Sequence, residues 1–129
     1  MKTLVQILFA ASLLLPVARA EIYELRTYTT AEGKLPALLA RFRDHTTKLF
    51  LKHGIRNVGY WVPQDAPRSQ NTLIYIVAHR DRQAAEKSWA AFRDDPAWVK
   101  VRTESEAAGK IVLKVESVFM APTDFSALR

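Results

Sequence analysis

Asn71-Thr72-Leu73-Ile74-Tyr75-Ile76-Val77-Ala78-His79 contains five consecutive large apolar or aromatic residues, Leu73 to Val77. A short run of β-branched and aromatic residues, set off by the Pro63…Pro67 loop, reads as a strand that is apolar on both faces. Ile22 to Thr30, rich in Tyr, Thr and Leu, is the first strand, and Ile55 to Val62 is the second. Between them, Leu35, Leu38, Leu39, Phe42, Thr46, Leu49 and Phe50 follow at helical spacing, which predicts one helix from about Lys34 to His53. Pro36 suits its first turn and Gly54 suits the position just past its end. Asp81 can cap a second helix running to about Arg93. Asp95-Pro96 stops that helix and starts a third, with Asp95 as cap and Pro96 in the first helical position. Lys110 to Met120 is the fourth strand, and Ala121 to Arg129 is a tail.

The order β-α-β-β-α-β, with an extra short helix after the second long one, is the α+β ferredoxin-like plan: a four-stranded antiparallel sheet with helices on one face. The open face of such a sheet is usually polar. Here strands two and three are apolar or aromatic on both faces, so a second cover is expected. A second copy of the chain would supply it, giving a two-fold dimer whose sheets face each other. The other reading is an open face whose aromatics bind a ligand or lie exposed.

The chain has 129 residues, 49% hydrophobic and 25% charged, which suits one globular domain. It has no cysteine, which excludes disulfides, thiolate metal sites and a cysteine nucleophile. Residues 1–20 read as a secretory signal: Lys2, an apolar run from Leu4 to Leu15, and an Ala18-Arg19-Ala20 cleavage triplet. The apolar run is shorter than the about 20 residues a spanning helix needs. The mature domain is therefore expected to be 21–129, periplasmic or secreted, with no membrane anchor after cleavage. Cleavage would leave 17 basic against 13 acidic residues, a charge of +4. The signs are mixed along the chain, so nucleic-acid binding is not expected.

A resemblance is carried by an ordered set of short motifs. They are Tyr23-Glu24-Leu25-Arg26-Thr27-Tyr28, Gly33-Lys34-Leu35, His53-Gly54, Gly59-Tyr60-Trp61, Asn71-Thr72-Leu73-Ile74-Tyr75, Ser88-Trp89-Ala90-Ala91-Phe92, Asp95-Pro96-Ala97-Trp98, Glu104-Ser105-Glu106 and Pro122-Thr123-Asp124-Phe125-Ser126. Over nearly all of Tyr23 to Ser126 the chain resembles the NIPSNAP family. The resemblance implies a dimeric α/β-barrel of ferredoxin-like subunits and implies no known reaction. Eukaryotic relatives are mitochondrial and linked to vesicle transport and mitochondrial quality control, roles that an exported chain would not share.

The candidate site residues are Arg26, Tyr28, Tyr60, Tyr75, His79 and His53. Arg26 and Tyr28 share a strand face with Glu24, and Tyr75 and His79 share one with Leu73 and Val77. Tyr60 faces opposite to Trp61. If Arg26, Tyr28, Tyr75 and His79 point into the space between two sheets, they form an aromatic cavity with a few polar groups, the usual make-up of a small-molecule site. The competing reading is an Arg–Glu ion pair plus aromatic packing. His45 and His53 are two helical turns apart, roughly 12 Å, too far to share a metal, and no metal site is expected. The bland expectation for His45 is a hydrogen-bonded core edge, and for His53 a helix end. Trp89, Phe92 and Trp98 read as core, and Glu104 and Glu106 as surface charge.

No Gly-rich phosphate loop, nucleophile elbow or H-E-x-x-H motif occurs, and no catalytic residue can be named. The sequence thus points first to a homodimer holding a small, partly apolar ligand in the barrel cavity. Other dimeric α/β-barrels include monooxygenases and haem-dependent enzymes, so an oxidoreductase is the alternative by fold analogy. Haem would need His53 or His79; no cofactor is otherwise expected. A third reading is a partner-binding protein without catalysis.

Overall fold

The computed structural model describes residues 21–129, so the expected export signal lies outside the described residues. Its elements run β1 (Ile22–Thr30), α1 (Leu35–Arg41), a π-helical turn (Phe42–Thr46), α2 (Thr47–Lys52), β2 (Arg56–Trp61), a 3₁₀ turn (Arg68–Gln70), β3 (Thr72–His79), α3 (Arg82–Asp94), α4 (Pro96–Ser105) and β4 (Val112–Met120). The sheet is antiparallel throughout, in the order β2-β3-β1-β4, which is the expected ferredoxin-like arrangement.

Register decides which residues share a face. Glu24 pairs with Val77, Arg26 with Tyr75 and Tyr28 with Leu73, all directed at the helices. Leu25 pairs with Ile76 and Thr27 with Ile74 on the opposite, open face. The core lies between sheet and helices. It is built from Leu73, Tyr75 and Val77 of β3, Leu38, Phe42 and Phe50 of the first helical segment, Ala85, Trp89 and Phe92 of α3, and Ile55 and Ile111.

The single helix expected from Lys34 to His53 is instead two α-helices joined by a π-helical turn. Its inward residues explain the correction. Leu38, Phe42, Thr46 and Phe50 are all buried and repeat every four residues. A repeat of four overshoots a helix of about 3.6 residues per turn, so over three steps the stripe would drift by about one residue. The wide turn absorbs that residue and keeps the stripe on the sheet. The hydroxyls of Thr46 and Thr47 donate to the carbonyls of Arg41 and Phe42, five residues back, at 3.2 and 3.0 Å.

The helix ends follow their sequence signals. Gly54 takes φ +76°, its N–H reaches Leu51 O at 3.2 Å, and the Ile55 N–H reaches Phe50 O at 2.9 Å. This is a Schellman closure, open to glycine because a Cβ disfavours positive φ. Asp81 caps α3 through the Ala84 N–H at 2.7 Å, and Asp95 caps α4 through the Ala97 N–H at 2.9 Å.

The open face carries Leu25, Ile74, Ile76, Trp61 and Val118, with Trp61 51% and Val118 54% exposed. The Trp61 ring lies across Gly59, where a Cβ would come within 2.4 Å of it. At one end the C-terminal tail lies against the sheet. Pro122, Thr123, Ser126 and Leu128 form a groove with Tyr23, Ile76 and Met120. That cover explains why Tyr23 is buried on an otherwise open face.

Phe50→Ala is expected to cost about 3–5 kcal/mol of stability, the usual range for emptying a core aromatic site. Leu51→Ala, one residue on but 62% exposed, should stay within about 0.5 kcal/mol of the parent. Urea unfolding of both variants checks the assignment of the inward stripe.

Candidate functional site

Glu24 is the centre of the polar residues on the helix side of the sheet. It is 1% exposed and accepts four hydrogen bonds. His79 Nε2 at 2.9 Å and Trp89 Nε1 at 2.7 Å reach Oε1. Arg26 Nη1 at 2.7 Å and Ser117 Oγ at 2.6 Å reach Oε2. Burial alone would push this carboxyl up. The hydrogen bonds from His79, Ser117, Arg26 and Trp89 outweigh it and hold the group at about 2.

Arg26 extends the network. Its Nε donates to the Tyr75 hydroxyl at 2.9 Å and Nη2 to the Tyr28 hydroxyl at 3.3 Å, and Tyr75 donates to Tyr28 at 3.0 Å. Its guanidinium carbon lies 4.3 Å from the Trp89 ring centre, a cation–π contact. Burial works against the Arg26 charge, but the Tyr28 and Tyr75 oxygens and Glu24 hold its pKa above the ordinary arginine value. Burial, with Tyr28 nearby, pushes the Tyr75 phenol well up.

Arg26, Tyr28, Tyr75 and His79 therefore come together as a set, but under the helices rather than on the open sheet face. The even positions of β1 face the odd positions of β3 across the ladder, and that side holds the core. Tyr60 stacks on Tyr75 at 5.1 Å, yet its hydroxyl donates to Asn57 at 2.6 Å, and burial pushes its pKa up. It packs beside the network without joining it.

His53 lies elsewhere. Its Nε2 and Lys52 Nζ each sit 2.7 Å from Asp95 Oδ2, linking the end of α2 to the start of α4. Lys52, then His53 and the Ala97 N–H, hold the Asp95 carboxyl well below the usual carboxylate range. His45 is exposed, not a core edge, because it falls on the outer side of the π-helical turn. Glu104 is surface charge as expected, but Glu106 sits 3.6 Å from the buried guanidinium of Arg41. Burial pulls the Arg41 pKa down.

A groove of about 290 Å³ opens between α3 and the β1–β4 edge. Glu24, Arg26, Trp89, Ser117 and Phe119 line it, together with Arg82, Glu86 and Arg93 of α3. Arg26 is 17% exposed here and uses three of its five N–H groups on Glu24, Tyr28 and Tyr75. Sequence reasoning missed Ser117, Arg82 and Arg93. Ser117 sits on a strand whose pairing with β1 spans 93 positions from Glu24. The two arginines carry no local signal, although 82, 86, 89 and 93 do share one helical face.

A family model described as NIPSNAP matches residues 23–127. The chain belongs to the NIPSNAP family. No curated protein matches it. Among solved structures, a NIPSNAP family protein of unknown function from Agrobacterium tumefaciens is 25% identical, with a TM-score of 0.73 over 88% of this chain and 97% of its own. A NIPSNAP-like domain protein from Burkholderia xenovorans is 16% identical, with a TM-score of 0.71 over 84% and 90%. A monooxygenase from Streptomyces coelicolor, solved with the ligand nanaomycin D, shares the fold at 15% identity, with a TM-score of 0.58 over 81% and 89%.

The network makes the protein's stability acid-sensitive in a defined window. A carboxyl held below its unfolded value stabilises the fold above that value and loses the contribution as pH falls. For Glu24 the loss should run from about 4.5 down to about 2. Glu24→Gln offers one accepting oxygen to four donors and turns its own N–H₂ toward two of them. A loss of about 3–5 kcal/mol is expected, together with a flatter stability profile across that window. Denaturant midpoints measured between pH 6 and pH 2.5 check both.

Proposed function

We propose that this NIPSNAP protein is exported and works as a homodimer that binds a small, partly apolar ligand in the groove under α3. The observation that carries the reading is Arg26. Its guanidinium is held rigidly by Glu24, Tyr75 and Tyr28 and stacked on Trp89, yet two N–H groups are left over beside the groove. A preorganised cation with spare donors, flanked by the apolar surfaces of Trp89 and Phe119, is the combination small-molecule sites use to fix a polar end and bury the rest. Pairing has separate support. Leu25, Ile74, Ile76, Trp61 and Val118 form an apolar strip on the open face, beside Thr27, Lys114 and Glu116, and a second copy of that face would cover it.

The oxidoreductase alternative rests on fold likeness to the Streptomyces monooxygenase alone. Haem gains no support from the histidines, since His53 and His79 each commit Nε2 to a carboxylate.

Native mass spectrometry of protein recovered from the periplasm of its own host tests the proposal. A dimer of chains beginning at Glu21, carrying extra mass that denaturation removes, is the expected result. A monomer retaining Met1 overturns export and pairing; a clean dimer without adduct overturns the ligand. Ile76→Glu, placed in the middle of the open face, should shift the dimer to monomer in sedimentation, while a wholly dimeric variant would put the interface elsewhere.

A further inference from the structure

Resting on the reading that the groove under α3 binds a small molecule, we infer its class: a flat organic anion, an aromatic or conjugated carboxylate, clamped by Arg82 and Arg93 over Arg26.

Charge comes first. Three guanidinium groups and two carboxylates line the groove. Glu24 and Arg26 offset each other as an ion pair, so toward a ligand the balance is Arg82 and Arg93 against Glu86. Among the described residues Arg82 and Arg93 have no carboxylate partner, and Glu86 has no cationic one. All three are exposed on the helical face that also sends Trp89 inward. Arg82 and Arg93, beside the two unused N–H groups of Arg26, form an anion site, and their planar forks match a carboxylate with two parallel hydrogen bonds.

Shape follows from the stacking. The Arg26 guanidinium lies over Trp89 at 4.3 Å, and the Arg82 guanidinium lies over Phe119 at 3.8 Å. Each ring is thus covered by a guanidinium, whose outer face is flat and whose rim carries N–H groups. A planar conjugated body can lie along such surfaces with its carboxylate at the rims. The Ser117 hydroxyl donates its hydrogen bond to Glu24, so it has no donor left for a ligand carboxylate, which the arginines must hold. Glu86 stands between Arg82 and Arg93 in sequence, and its charge, which no cation offsets among the described residues, opposes an anion in the groove.

The test uses 2-naphthoate and its uncharged isostere 2-naphthamide, titrated into the purified full-length protein and followed by assigned ¹H–¹⁵N spectra. The Trp89 indole N–H reports from the groove wall. Naphthoate should move that signal and bind about tenfold more tightly than naphthamide, as charge-assisted hydrogen bonds imply. Arg82→Gln and Arg93→Gln are exposed changes that leave the core untouched. Arg93→Gln should weaken naphthoate about tenfold without affecting naphthamide, Arg82→Gln, which also removes the stack on Phe119, should weaken naphthoate about tenfold more than naphthamide, and Glu86→Gln should tighten naphthoate severalfold. If both probes bind equally and ignore the arginines, the anion class is overturned and the groove reading stands. If neither moves the Trp89 signal, or naphthoate shifts only residues of the tail groove such as Tyr23, both fall.

Discussion

A carboxylate taken out of water must find donors for the lone pairs it can no longer give to solvent, or it will not stay charged. Glu24 is in that position, and its four donors come from four different places: Arg26 on β1 itself, His79 on β3, Trp89 on α3 and Ser117 on β4. The two strands that flank β1 and the helix above it are thus tied to one side chain. A register slip of one residue in either ladder would turn His79 or Ser117 to the other face and leave the buried carboxylate short of a donor. Hydrophobic burial favours a collapsed sheet and helices; Glu24 specifies which sheet register and which helix position are acceptable.

The same constraint shapes the candidate site. Arg26 is drawn under α3 by Glu24 and kept there by Tyr75, Tyr28 and the Trp89 ring, so its side chain is ordered before any ligand arrives. The order is imposed by the core, while the opening above it is bordered by exposed residues of α3 and by the β4 edge. Rigid floor and adjustable rim are thus supplied by different parts of the chain. The opposite face of the sheet has no such network. Its apolar strip is partly covered by the C-terminal tail, and beside the strip Lys114 and Glu116 pair with each other at 3.4 Å.

Much of the architecture was legible because it depends on local chemistry. The unbroken run Leu73–Val77 marked β3, Asp81 and the Asp95-Pro96 pair marked the ends of two helices, and Gly54 marked the close of another. The π-helical turn was written in the four-residue spacing of Leu38, Phe42, Thr46 and Phe50, but a periodicity search set to 3.6 smooths over it. Strand alternation put Arg26 with Tyr28 and Tyr75 with His79, and their meeting was one of two readings, the other being an Arg–Glu ion pair with aromatic packing. Their side of the sheet was not legible, since alternation gives two faces and does not say which one the helices will take.

What the sequence determined by itself is the succession of elements, their caps, and which side chains on each strand travel together, because each of these is settled within a few residues by backbone sterics, turn chemistry and side-chain period. Tertiary structure alone decided that Glu24 would collect Ser117 from 93 positions away and Trp89 from 65. It also decided that Arg82 and Arg93 would line one groove with Arg26, and that His53 would go to Asp95 instead. Those pairings follow from sheet order and from how α3 crosses the sheet. They are fixed by the summed burial of the whole core, to which no single stretch of residues contributes enough to be read in isolation.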